Sequence, residues 1–180
     1  MSPPRQTDAS GSAQGNPACP KCKRDFVLRV VPEGFLERVG GLLSISPFRC
    51  QLCTNRFYGF RSGAGVAKQP MDRRQYVRFA VRLPATFSGE ARGEGTVVVL
   101  SMGGCAIETD VRMPAGKVLQ VRITISDQEA PVGIEAGVVR SVRSGIIGVE
   151  FLRLVQYEKD RLSRYIAGLL LARKNVTGTK

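Results

Sequence analysis

The 180-residue chain carries 27 Lys and Arg against 15 Asp and Glu, a net charge of +12, with 43% hydrophobic and 7% aromatic residues. That is enough apolar material for one ordinary domain or two small ones, which excludes a large multidomain enzyme, and the positive excess points to an anionic partner. Histidine is absent, which excludes Ser-His-Asp and Cys-His catalysis and mixed Cys/His zinc sites, so any metal must be held by sulfur or oxygen.

In chain order, residues 1–16 (MSPPRQTDASGSAQGN) have almost nothing to bury and are expected to form a disordered tail. They lack the basic and apolar regions of a secretory signal, and no apolar run reaches the roughly 18 residues that span a bilayer, so a cytoplasmic protein is expected. A first compact unit is expected over residues 17–61, which hold four of the five cysteines. Cys19-Pro-Lys-Cys22 and Cys50-Gln-Leu-Cys53 are two CxxC knuckles; each turns two thiolates toward one point, and together they complete a tetrahedral cage suited to Zn²⁺. Four protein ligands leave no open position, so the zinc is structural.

The competing readings of this quartet are two disulfides, disfavoured by a cytosolic setting, an iron-sulfur site, and a thioredoxin-type motif, for which the βαβ pattern is missing. Between the knuckles, Gly34 to Ser46 has Phe35, Leu36, Val39, Leu42 and Leu43 at helical spacing and predicts a short helix. Lys21, Lys23, Arg24, Arg29, Arg49, Arg56 and Arg61, with Phe26, Phe48, Phe57 and Tyr58, offer charge and stacking surfaces for nucleic acid. Against that stands the plainer reading that aromatics beside cysteine knuckles pack around the metal.

Residues 62–72, SGAGVAKQPMD, are small and flexible and predict a linker. The pattern then changes to period two. Val81, Leu83, Ala85 and Phe87 alternate with polar neighbours, as do Leu119, Val121, Ile123 and Ile125, and further β-rich runs cover Gly95 to Ser101, Gly104 to Thr109, Val132 to Val142 and Ile146 to Leu152. Six strands without interleaved helices predict a meandering antiparallel sheet closed into a small barrel. Finally Leu162, Tyr165, Ile166, Leu169 and Leu170 fall on one helical face, predicting an amphipathic helix over 156–173 that covers one end of the barrel, with a tail over 174–180.

Two elements of the second unit carry chemistry. Arg73-Arg74-Gln75-Tyr76-Val77-Arg78-Phe79 stands where the linker meets the barrel; arginine forks make planar bidentate bonds to guanine O6/N7 and to phosphate. Val99-Leu100-Ser101-Met102-Gly103-Gly104 is a turn at a strand end, where Gly103 and Gly104 permit close backbone approach and positive φ and Ser101 can cap the turn through its hydroxyl. Cys105 begins an apolar-alternating strand, as a small core residue does, and Glu108 and Asp110 mark only a solvated strand edge.

With Arg74 and Arg78 as an RxxxR arm, Ser101 and Gly104 in an xSxxG turn, Gly-Val-Glu-Phe over 148–151 and the closing helix KDRLSRYI, residues 73–173 resemble the PilZ domains, bacterial receptors for cyclic di-GMP. The resemblance implies a six-stranded antiparallel barrel with a C-terminal helix, which with the small N-terminal zinc-ribbon domain read from the cysteine knuckles makes the expected fold mainly β. It implies that Arg73, Arg74 and Arg78 embrace a compact cyclic di-GMP dimer while Ser101, Gly103 and Gly104 form the turn that contacts it. The family turn usually opens on Asp or Asn, and Val99 stands there instead. The expectation is therefore a non-enzymatic signalling receptor with zinc held by Cys19, Cys22, Cys50 and Cys53 and a protein partner. Its rivals are a PilZ adaptor that binds no nucleotide and a zinc-ribbon nucleic-acid binder.

Overall fold

A computed structural model describes residues 17–32, 45–60 and 74–177. The expected tail 1–16, the linker 62–72, Arg73 and residues 34–44 of the expected inter-knuckle helix lie outside the described residues. The last two positions of that expected helix, Ile45 and Ser46, open a strand.

Among the described residues, the N-terminal unit is a three-stranded antiparallel sheet in the order β1 (Val27–Arg29), β2 (Ile45–Cys50), β3 (Arg56–Phe60). Its central strand pairs Phe48 with Arg29 on one side and Phe57 on the other. Phe48 and Cys50 are wholly buried and Phe26 and Val27 nearly so. Among the described residues these few apolar side chains make a core of the size that small domains commonly reinforce with a metal or disulfides.

Strands β4 (Phe79–Gly89), β5 (Gly93–Ser101), β6 (Gly104–Glu108), β7 (Val118–Ile123), β8 (Val132–Arg143) and β9 (Ile146–Arg153) close into a six-stranded antiparallel barrel. Period-two alternation sends Ala85, Phe87, Val97, Ile107, Val121, Ile123, Ile134, Ile147 and Val149 inward, and closure leaves no unpaired edge. The order around the barrel is β4-β5-β6-β9-β8-β7, with β7 returning to β4. This corrects the expected meander. After β6 the chain crosses the barrel end instead of turning back beside it, burying Met113 on the way, and β9 takes the place next to β6.

Helix α1 (Gln156–Thr177) carries Glu158 in its first turn and Lys174 in its last, both suited to the helix dipole. Leu162 and Ile166 are buried in the same core as the barrel strands, with Tyr165, Leu169 and Leu170 packed against it. The amphipathic face is thus a lid, as expected, and the helix continues past Arg173 to Thr177. Arg161 is 3% exposed at this junction. It donates from Nη1 to Glu158 at 3.0 Å and from Nε to Glu129 at 3.2 Å, and also to the carbonyls of Ala130 and Pro131. No helix among the described residues is long and apolar enough to cross a membrane.

Candidate functional site

The two knuckles are built alike. Cys19 N–H donates to Arg24 O at 2.8 Å and Cys50 N–H to Asn55 O at 2.9 Å, the same five-residue loop in each. The residue after each second cysteine is left-handed, Lys23 with φ 59° and Thr54 with φ 62°, which swings the chain back so that both sulfurs of a knuckle face one point. The four Sγ atoms lie within 4.8 Å of one another, with Cys19–Cys53 and Cys22–Cys50 at 3.5 Å. All four cysteines are free, and these separations are far longer than the roughly 2.05 Å of a disulfide.

A tetrahedron of sulfurs about 2.3 Å from zinc has edges of about 3.8 Å, so the cage has the size and donor set for that ion. Burial opposes ionisation of Cys19, but the N–H groups of Cys22 and Lys21 and the neighbouring thiols bring its pKa down to about 7. Burial pushes Cys50 and Cys53 up. Four thiolates this close are stable only around a cation. Of the aromatics beside the knuckles, Phe26 and Phe48 are buried and Phe57 stacks on Phe48 at 5.9 Å, as core residues do, while Tyr58 is exposed.

On the barrel, one cavity of about 600 Å³ is lined by Arg74, Arg78, Ser101, Gly103 and Gly104. The structure therefore brings together every described residue of the expected nucleotide set. Its floor is a row of small side chains set by register across four strands, Val99 opposite Ala106, Ala106 opposite Gly148, and Gly148 opposite Ser141. Gln75 and Tyr76 of the arm, Arg140, Arg143 and Glu150 also line the cavity. Arg140, Arg143 and Glu150 were not among the expected site residues. The polar alternation of β8 marks Arg140 as outward, but only the β6-β9-β8 neighbourhood places it beside the turn. Arg140 donates from Nε to Glu150 at 2.6 Å.

The turn itself is tight. Ser101 Oγ donates to Gly104 O at 3.0 Å and accepts from Gly103 N at 3.3 Å, so the hydroxyl caps the turn. Gly103 and Gly104 are needed for approach: a Cβ on Gly103 would sit 2.5 Å from the Tyr76 ring and one on Gly104 2.3 Å from Val149 O. Neither has positive φ, which corrects that part of the expectation. Cys105 is buried, and burial pushes its thiol up to about 12.

The arm is held from the other side by the cysteine unit. Gln51, inside the second knuckle and 3% exposed, accepts from Val77 N at 2.7 Å and donates to Gln75 O at 3.2 Å. Arg49 Nη1 donates to Tyr76 Oη at 2.9 Å, its guanidinium 5.3 Å from the ring centroid.

The PilZ domain model matches residues 72–168, more than half of the chain. The chain belongs to the PilZ family. Eighteen chains among solved structures match it. The PilZ domain of CeSA from a cellulose-synthesizing bacterium is 17% identical, with a TM-score of 0.43, over 52% of this chain and 97% of that one. The Bacillus subtilis inhibitor of motility MotI/DgrA is 20% identical, with a TM-score of 0.48, over 71% of this chain and 65% of that one. An uncharacterized Legionella protein is 18% identical, with a TM-score of 0.37, over 55% and 99%. No curated protein matches. N-terminal to the barrel, this PilZ chain carries the four-cysteine cluster.

Proposed function

We propose that this protein is a non-enzymatic receptor for cyclic di-GMP, built from a metal-tied N-terminal module (17–61), a linker (62–72) and a PilZ barrel with its helix. The observation that carries the reading is the convergence of Arg74, Arg78, Ser101, Gly103 and Gly104 on one cavity. Four arginines and one carboxylate, Glu150, line it, an excess of three positive charges facing a ligand with two phosphates. Arg74 and Arg78 supply bidentate forks to guanine O6/N7 or phosphate. Arg73, adjacent to Arg74 in the chain, extends the basic arm. The small-residue floor lets flat bases lie on the barrel wall, and Ser101 acts through the turn, holding the Gly103 and Gly104 backbone toward the ligand. The cysteine quartet holds zinc as a structural tie, and the exposed basic flank of the first knuckle is offered to a protein or nucleic-acid partner.

One observation favours the rival, a PilZ adaptor without nucleotide. Val99 lines the cavity and cannot accept from a guanine N–H, a loss of about 1.5–3 kcal/mol, or one to two decades of affinity. Calorimetric titration with cyclic di-GMP separates the two. The receptor reading expects heat from the wild type and its loss in Arg74→Ala and Arg78→Ala. A silent wild type restored by Val99→Asp establishes the adaptor.

A further inference from the structure

The arginine arm has two attachments that belong to different modules. Tyr76 lies on the Gly103 turn of the barrel, while the peptide groups on either side of it are bonded to Gln51 of the second knuckle. The orientation of the Gln51 amide is fixed by its partners. Nε2 faces two carbonyls, Arg49 O at 3.1 Å and Gln75 O at 3.2 Å, and Oε1 faces the Val77 N–H, so a flipped amide would satisfy none of them. The backbone of Gln51 is tied as well, its N–H donating to Phe26 O at 2.8 Å. This buried residue sits directly after one metal ligand, Cys50, and two before another, Cys53.

We infer that Gln51 is a positioning residue for the nucleotide arm, and that through it the metal in the four-cysteine cage sets the population of the arm conformation that faces the PilZ cavity. The inference rests on the cyclic di-GMP reading for its ligand, but the coupling between knuckle and arm stands on the Gln51 bonds alone. The knuckles bring four sulfurs within 4.8 Å of one another, so a metal that fills the cage stabilises that geometry and its removal loosens it. Releasing the metal frees Gln51, and freeing Gln51 removes its bonds to the Gln75 carbonyl and the Val77 N–H. The arm then spends less time across the cavity, and apparent affinity falls in proportion to the competent fraction. Linkage is reciprocal: a ligand that grips the arm must tighten metal binding by the same factor.

The first test needs no nucleotide. Amide hydrogen exchange of the full chain, metal-loaded and chelated, reads Val77 directly. Protection of Val77 is expected to fall at least tenfold on chelation, while barrel amides such as Val97 and Val121 keep theirs. Metal-loaded Gln51→Ala and Gln51→Leu, neither of which can accept from the Val77 N–H, should show the same loss at Val77 once one metal per chain is verified by native mass spectrometry. Unchanged Val77 protection on chelation, or in both metal-loaded variants, overturns the inference.

The second test titrates cyclic di-GMP and, separately, competes the metal with a chromophoric chelator with and without cyclic di-GMP. Wild-type affinity is expected to fall about tenfold on chelation, Gln51→Ala to bind about tenfold more weakly whether or not metal is present, and saturating nucleotide to raise metal affinity about tenfold in the wild type only. Nucleotide binding that ignores both chelation and Gln51→Ala overturns the inference with the receptor reading intact. A silent wild type whose Val77 still responds to chelation overturns the receptor reading and supports the coupling.

Discussion

Gly103 and Gly104 are adjacent, yet an added methyl at each meets a different kind of neighbour, and the two substitutions should separate binding from stability. On Gly104 a Cβ would lie 2.3 Å from Val149 O and 3.3 Å from Glu150 Cα, both backbone atoms of the strand it pairs with. Ordinary carbon-oxygen contacts start near 3.3 Å, so β6 and β9 must part by about 1 Å. A closed barrel has no edge that can splay to absorb this. Overpacking of this kind costs about 1–3 kcal/mol, or roughly 5–20 °C in Tm for a domain of this size.

On Gly103 the atoms nearest the methyl all belong to the Tyr76 ring, two of them at 2.5 and 2.6 Å. That ring can swing away at the cost of its bond from Arg49. Thermal unfolding should therefore show Gly103→Ala within about 3 °C of the wild type, with cyclic di-GMP affinity reduced about tenfold because the arm has been pushed off the turn. Gly104→Ala should melt far lower. The reasoning fails if Gly104→Ala melts with the wild type, or if Gly103→Ala is the less stable of the two.

Thiol alkylation at pH 8, counted by intact mass, should modify none of the five cysteines in the metal-loaded protein, four after chelation, and Cys105 only in denaturant, since burial holds its thiol near 12. Early labelling of Cys105 would refute its place in the core. Arg161→Met should destabilise the lid by about 2 kcal/mol, because it strands half-buried Glu158 and the Ala130 and Pro131 carbonyls; unchanged Tm would show the network to be idle. The hydrogen bond from Lys174, 2.9 Å away, holds Asp25 below the usual carboxylate range. Its folded pKa being the lower, the bridge stabilises fully above about pH 4 and is lost as pH falls through the folded value. Both partners are more than half exposed, so the ion pair lost in Lys174→Ala should be worth under about 1 kcal/mol at neutral pH and less in high salt, where the contact of Lys174 with the Phe26 ring 4.5 Å away is the part that persists.

Fold and site differed in how far the sequence disclosed them. Alternation around Val81 to Phe87 and Leu119 to Ile125 specifies strands locally, because a residue's face depends only on its own parity. The i, i+3, i+4 pattern from Leu162 does the same for the lid. The strand order escaped because parity says nothing about neighbours; only the crossing that buries Met113 places β9 beside β6. The missed site residues follow from that one gap. Arg140, Arg143 and Glu150 reach the cavity through the β6-β9-β8 order, and Gln51 through a contact between modules, which no periodicity encodes. Left-handed Lys23 and Thr54 were equally hidden, since neither is the glycine that advertises such a turn.

The arm contact also bears on Val99. If a ligand had to order Arg74 to Arg78 from a free chain, fixing five backbones would cost about 1–2 kcal/mol each, several times the 1.5–3 kcal/mol lost with an absent turn acceptor. On the receptor reading, an arm already held by Gln51 and Arg49 spares the ligand part of that cost, which offsets part of what the missing turn acceptor at Val99 would lose. The two effects act at different places, since Val99 faces the cavity floor from β5 and Gln51 holds the far side of the arm. A double-mutant cycle on cyclic di-GMP affinity should therefore be additive within about 0.5 kcal/mol. Val99→Asp is expected to gain one to two decades in either background and Gln51→Ala to lose about one. A gain from Val99→Asp that vanishes in Gln51→Ala would mean that the aspartate works by gripping the arm rather than the base, and would move the role of this turn position from recognition to positioning.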